Sequence, residues 1–139
     1  MRPIALCLVI LATTSFAACA GNPRPGEAGY PYNLTGSYRA EFVVQGTPYR
    51  GDMNLTTAPG GIVSGSFSVA GPDAVVGMVE GALATDSLAF VMPYEQVGGC
   101  AGTVEGTAAI SEGGAGFASP IKVQDSCGGT LSGTLTVER

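Results

Sequence analysis

Alternation of apolar and polar residues runs along the chain from residue 34 to its end. The clearest example spans residues 63–69, where Val63, Gly65, Phe67 and Val69 alternate with three serines. Alternation with a period of two, bounded by Gly and Pro, is typical of strands that bury one face. The pattern predicts eight such strands, at residues 38–45, 49–56, 63–69, 75–83, 87–94, 100–106, 115–123 and 131–137.

The connections between these segments are short and rich in Gly, Pro and Asp, and no segment shows helical periodicity. Short strands joined by tight turns favour an antiparallel meander. We therefore predict an all-β domain, an eight-stranded antiparallel barrel, because closure removes exposed strand edges. A two-sheet β-sandwich uses the same alternation and is the alternative.

Glycines recur inside the predicted strands, within two weak internal sequence repeats. Residues 77–81 and 102–106 match at four of five positions, and residues 63–67 resemble residues 131–135 in the order of small, Gly, polar and apolar positions. Gly inside a strand commonly marks a bend or a close backbone approach. We interpret the glycines of these repeats as sites of the bends that a small barrel needs in order to close.

The first 18 residues carry the pattern of an export signal. Arg2 precedes an apolar run over residues 4–12, which is too short to span a bilayer as a helix and suits a secretory signal peptide. The run ends in Phe16-Ala17-Ala18-Cys19. Small residues before a cysteine resemble the lipobox of bacterial lipoproteins, although Phe16 stands where Leu is usual. The resemblance implies a lipidated Cys19 as the first mature residue, and the alternative is ordinary cleavage that releases a soluble protein.

Residues 19–33 are predicted to be a flexible Pro- and Gly-rich tether between a lipid-held terminus and a barrel domain over residues 34–139. Several acyl chains on one cysteine would hold the protein firmly at a membrane. Ala20 after Cys19 implies the outer membrane, if the usual lipoprotein sorting rule applies. The expected location is therefore the periplasm-facing outer membrane, with a secreted or soluble periplasmic protein as the alternative.

Two cysteines, Cys100 and Cys127, remain once Cys7 leaves with the leader and Cys19 takes lipid. An even pair in an oxidising compartment is most simply a disulfide. A redox or metal pair is disfavoured because the chain lacks a C-x-x-C motif and contains no His.

Charge is sparse and acidic, with six Lys or Arg against eleven Asp or Glu. Scattered cations argue against nucleic-acid binding, which needs clustered Lys and Arg. No nucleophile, phosphate-loop or calcium-loop motif is present. Glu80 and Glu105 lie at corresponding positions of two similar segments, residues 77–81 and 102–106. Both occupy polar positions of their strands, so we expect them on the outer face of the barrel, as we do Lys122. We therefore predict no catalytic, metal-binding or cofactor-binding residues and no enzyme.

The five tyrosines, Tyr30, Tyr32, Tyr38, Tyr49 and Tyr94, are the most contact-prone side chains. Tyr30 and Tyr32 lie in the predicted tether, where they are expected to cover the barrel end, and contact with a partner is the alternative. Three functions stay open. The first is a lipid-anchored module that binds an envelope protein. The second is a lipocalin-like carrier of a small apolar ligand. The third, a periplasmic protease inhibitor, depends on fold-level analogy alone.

Overall fold

A computed structural model describes residues 32–111 and 114–139, and these form a closed antiparallel β-barrel. Its eight strands are β1 (Gly36–Val44), β2 (Thr47–Thr57), β3 (Ile62–Ala70), β4 (Ala74–Leu83), β5 (Ser87–Gln96), β6 (Ala101–Ile110), β7 (Gly116–Asp125) and β8 (Gly129–Glu138). Each strand pairs with the next, and β1 closes the barrel against β8, for example through the pair Phe42 and Leu135. The predicted barrel is confirmed and the sandwich alternative is wrong.

The predicted signal peptide, Cys19 and most of the predicted tether lie outside the described residues. In the part that is described, no helix is long and apolar enough to cross a membrane.

The first turn differs from the prediction, which began the second strand at Tyr49. The turn consists of Gln45 and Gly46, whose φ angles are 50° and 81°, and β2 already begins at Thr47. A two-residue hairpin turn with positive φ at both positions follows the right-handed twist of the flanking strands. The strands can therefore continue almost to the tip of this hairpin.

Close packing of neighbouring backbones explains why glycine recurs in the two internal repeats. A Cβ atom built on Gly65 would lie 2.0 Å from the carbonyl oxygen of Asn54, and one built on Gly133 would lie 2.0 Å from that of Val43. No side chain fits at such distances, so the neighbouring backbone can approach closely only at glycine. This geometry supports the interpretation of these glycines as closure points of the barrel.

The inward positions of the strands form the core, as the alternation predicts. Large side chains pack its middle, among them Phe42, Phe67, Phe90, Met92 and Leu135. The rings of Phe42 and Phe67 lie 5.1 Å apart between centroids.

The two ends of the barrel are distinguished by the connections that they carry. The closed end carries the N-terminal segment and the β2–β3, β4–β5 and β6–β7 connections, and the open end carries the other four hairpins.

Candidate functional site

The open end of the barrel holds a pocket of about 310 Å³ between the strands. Its wall is mainly apolar, and the aliphatic part comes from Val44, Val69, Val75, Val104, Val123 and Leu131. The rings of Phe42 and Phe67 form the floor, where the packed middle of the barrel begins. This volume lies within the range of small-molecule sites in proteins, which start near 300 Å³.

Side-chain size explains why the pocket lies at this end. The inward positions nearest the open end carry mostly Val, whereas the middle of the barrel carries Phe, Met and Leu. Shorter side chains on a wall of fixed diameter leave space at the centre. The inward row is thus packed in the middle and hollow at the open end.

One polar pair interrupts the apolar wall. The hydroxyl of Tyr94, on β5, donates a hydrogen bond to a carboxylate oxygen of Asp125, at the end of β7. The phenol is buried against Gly102, where an added Cβ would come within 2.7 Å of the hydroxyl oxygen. Both members of the pair line the pocket, so a bound molecule would meet a carboxylate and a phenol oxygen side by side.

The pair shifts the protonation of both groups. Burial, together with the hydrogen bond to Asp125 and its negative charge, raises the pKa of Tyr94 well above its usual value. The hydrogen bond from Tyr94, with two backbone N–H donors, lowers the pKa of Asp125 against the opposing effect of burial. At neutral pH the pocket therefore presents an ionised carboxylate next to a neutral phenol.

Asp125 also organises the turn between β7 and β8. Its second carboxylate oxygen accepts hydrogen bonds from the backbone N–H groups of Cys127 and Gly128, each at 2.8 Å. Short Asp side chains commonly cap turns in this way. The turn is further fixed by the disulfide between Cys100 and Cys127, whose Cα atoms lie 5.7 Å apart. The predicted disulfide is confirmed, and it ties two hairpins together at the rim of the pocket.

A cluster of possible metal ligands lies at the same rim. The sulfur atoms of Cys100 and Cys127 and a carboxylate oxygen of Asp125 lie within 4.8 Å of one another. Metal sites use thiolates, and both sulfur atoms here are consumed by the disulfide. In the disulfide form this cluster therefore offers a metal a single carboxylate, which is too few ligands for a stable site.

The closed end is filled by a segment outside the strands. Leu34 is fully buried beneath the barrel wall. Its backbone N–H donates to the hydroxyl oxygen of Thr57 at 3.0 Å, and the N–H of Thr57 donates to the hydroxyl of Thr35 at 2.9 Å. Gly36, with φ of 150°, adopts a conformation that other residues rarely reach and turns the chain into β1. The buried side chain of Leu34 therefore closes this end of the barrel, and we call it the plug.

Arg139 fastens this plug from the other terminus of the barrel. Its guanidinium lies 5.2 Å from the centroid of the Tyr38 ring and donates to the Tyr38 hydroxyl at 3.0 Å and to the Thr35 carbonyl at 3.1 Å. The Tyr38 hydroxyl in turn donates to the Leu34 carbonyl at 2.9 Å. Tyr38 thus fills the closed end, whereas Tyr49 and Tyr94 line the open one.

Glu80, Glu105 and Lys122 lie on the outer face, as predicted. They border a shallow groove of about 750 Å³ that opens widely to solvent across β4 to β7. Val91 lies between the two glutamates in the sheet, and Lys122 forms an ion pair with Glu105 at 4.0 Å. The carboxylates are exposed, separated by a strand and partly paired, which does not favour acid–base chemistry.

The outer face of β4 and β5 also carries exposed apolar side chains. Val76, Met78 and Val91 are 52%, 57% and 43% exposed. Met78 pairs with Ser66 on β3, so the apolar row borders the serine-rich face of that strand. Exposed apolar side chains in a contiguous row are a common feature of protein contact surfaces.

Asp125 and Gln96 line the pocket and were not predicted from the sequence. Both continue an inward parity, Asp125 that of Val123 and Gln96 that of Tyr94, so the alternation itself placed them inside. The predicted strands end at residues 94 and 123, whereas β5 and β7 continue to Gln96 and Asp125.

No protein-family model and no curated protein matches the chain. Among solved structures, the barrel is similar to EF1p2_mFAP2b bound to DFHBI, with a TM-score of 0.67 and 12% identity over 80% of this chain and 99% of that one. The redesigned β-barrel mFAP1, also bound to DFHBI, gives 0.61 and 16% identity over 79% and 98% of the two chains. A further redesigned barrel, b11L5F_LGL, gives 0.55 and 15% identity over 85% and 100%. At these identities the similarity establishes a shared barrel fold.

Proposed function

We propose that the domain is a non-enzymatic binding module that takes a small apolar ligand into the pocket at its open end. The observation that carries the proposal is the contrast within one barrel interior, which is packed in the middle and leaves about 310 Å³ of mainly apolar space at one end. Two barrels of similar fold have been solved with DFHBI bound, which supports the proposal by analogy of fold.

A matched pair of tryptophan substitutions tests this proposal. Leu131 lines the pocket, and its neighbour Ser132 points outward on the same strand. The apolar reporter N-phenyl-1-naphthylamine should brighten on binding the wild-type domain and the Ser132→Trp variant. Leu131→Trp should abolish the response because the indole fills the pocket. An equal response from both variants would overturn the assignment of the pocket, and so would no response from the wild type.

We further propose that a lipid on Cys19 holds the module at the periplasmic face of the outer membrane. The support is the lipobox-like sequence before Cys19 and the Pro- and Gly-rich stretch after it. Cys19→Ala should move the protein from the membrane fraction to the soluble fraction of the cell envelope. Retention of the variant in the membrane fraction would contradict the lipid anchor.

A second candidate function is contact with another envelope protein through the apolar row on the outer face. The exposure of Val76, Met78 and Val91 favours it. Met78→Ser should then weaken recovery of a cross-linked partner from the envelope while leaving the reporter response unchanged. Unaltered cross-linking would remove this candidate.

A further inference from the structure

The polar lining of the pocket is negatively charged. Asp125 is the one charged side chain among the described residues that form its wall. A second carboxylate, Asp73, lies beside the wall, where it accepts a hydrogen bond from the amide nitrogen of Gln96 at 3.3 Å. Among the described residues the cations lie elsewhere. Arg50 pairs with Glu41 and Lys122 with Glu105 on the outer face, Arg39 is exposed on β1, and Arg139 lies at the closed end.

The donors on this lining are largely committed to these carboxylates. The hydroxyl proton of Tyr94 points to Asp125, and the amide of Gln96 points to Asp73. What remains for a ligand is mainly acceptor capacity, namely the free lone pairs of the Asp125 carboxylate and of the Tyr94 oxygen. The hydroxyl of Tyr49 can serve in either role.

We propose, building on the proposed function, that the pocket selects apolar molecules that end in a protonated amine. The apolar part lies against the Val and Phe wall, and the ammonium group donates hydrogen bonds to Asp125 and to the Tyr94 oxygen. Opposite charges attract, and a hydrogen bond from an ammonium group to a carboxylate is stronger than one between neutral groups. Aliphatic amines resemble the Lys side chain and are protonated at neutral pH.

A carboxylate-ended molecule such as a fatty acid is the opposite case. Its head group would have to lie beside the ionised Asp125, and none of the described residues of the wall is a cation that could balance it. Like charges at close range disfavour each other's ionised forms. The fatty acid should therefore bind more weakly than an alcohol of the same chain length.

Displacement of N-phenyl-1-naphthylamine by 1-octylamine, 1-octanol and octanoate tests the inference with one chain and three head groups. We expect 1-octylamine to bind about tenfold more tightly than 1-octanol, as hydrogen bonds to a charged group imply, and octanoate to bind most weakly. Asp125→Asn should bring octylamine to the affinity of octanol, because Asn keeps the oxygen that accepts the turn N–H groups but loses the charge. Glu80→Gln, on the outer face, is the matched control and should change nothing.

The outcomes separate this inference from the proposed function. If none of the three compounds displaces the reporter, the ligand pocket itself is refuted. If octanol binds but octylamine does not exceed it, or if octanoate binds most tightly, the pocket stands and the amine preference is wrong. Should Asp125→Asn fail to fold, the ionic-strength dependence in the wild type decides. Added salt should reduce the advantage of octylamine over octanol, and an unchanged ratio would contradict the role of Asp125.

Discussion

The open and closed ends of the barrel are built by the same alternation but filled in different ways. At the closed end, Leu34 enters from outside the strands and Arg139 fastens it through Tyr38. At the open end, a disulfide and the turn at Asp125 hold the rim, and the space between the strands stays open. The closed end is therefore filled by side chains, whereas the open end is braced at its rim and leaves space between the strands.

The largest expected effect breaks the open end by removing its disulfide. Cys100 and Cys127 are separated by 27 positions in the sequence, and Cys127→Ser should cost about 3–4 kcal/mol in the chain-entropy model. Urea denaturation with and without a reducing agent measures this cost. The reductant should lower the stability of the wild type and leave the variant unchanged. Equal stability of the wild type in both conditions would refute the contribution of the disulfide.

A matched leucine pair compares the filling of the two ends. Leu34 is fully buried in the closed end, so Leu34→Ala should destabilise the domain by about 3 kcal/mol. Leu131 lines the open pocket and has fewer packed neighbours to lose, so Leu131→Ala should cost only about 1 kcal/mol. Thermal or urea unfolding of both variants checks the order. Equal losses would mean that the open end is packed like the closed one.

A smaller effect is expected from the fastening of the plug. Arg139→Ala removes the donors to Tyr38 and Thr35 and should cost about 1 kcal/mol, because each bond is partly exposed. Arg39, exposed on β1, serves as the matched control, and its replacement by Ala should fall within about 0.5 kcal/mol of the wild type. Equal effects of the two substitutions would show that Arg139 does not stabilise the closed end.

The smallest expected effects on stability arise when pH changes the ionisation of Tyr94 and Asp125 at the open end. The pKa of Tyr94 is raised above its ordinary value of 10.0, so the unfolded chain loses this proton first and stability should fall as pH rises above that value. The pKa of Asp125 is lowered, so its contribution is present above the ordinary carboxyl value and is lost as pH falls through the folded-state pKa.

Urea midpoints across the pH range test both directions with Tyr94→Phe as the comparison. The variant should lose less stability at alkaline pH, because it lacks the phenol at position 94 whose pKa is raised. Its acid loss should also weaken, because Asp125 no longer gains the hydrogen bond that lowers its pKa. Identical profiles for the variant and the wild type would contradict the coupling of the two side chains.

The alternation predicted the strands because a half-buried strand has a local pattern, and the even number of remaining cysteines predicted the disulfide. Val63, Phe67 and Val69 face the core as their parity requires, and Gly65 lies where two backbones meet. The pocket was harder to foresee, since the inward row alone does not show whether Val75 and Leu131 meet across the barrel or leave space. That depends on the barrel diameter, which follows from all eight registers together.

The plug at the closed end and the polar pair at the open end also escaped prediction. Leu34 looked like the start of the barrel domain, and only its bond to Thr57, 23 residues away, shows that it lies across the barrel end. Tyr94 and Asp125 are 31 residues apart, and no local pattern joins them. Such contacts arise from the closure of the sheet, which brings distant inward positions together.

A nuclear magnetic resonance titration of the ¹⁵N-labelled wild-type domain with 1-octanol shows most directly whether the open end binds a ligand. Backbone amide shifts should move around the open end, at Val69, Gln96 and Leu131, and stay fixed at the closed end, at Leu55 and Val137. Such a pattern would place a small apolar molecule in the pocket. Shifts confined to the closed end or to the outer groove, or no saturable shifts, would contradict a binding function of the open end.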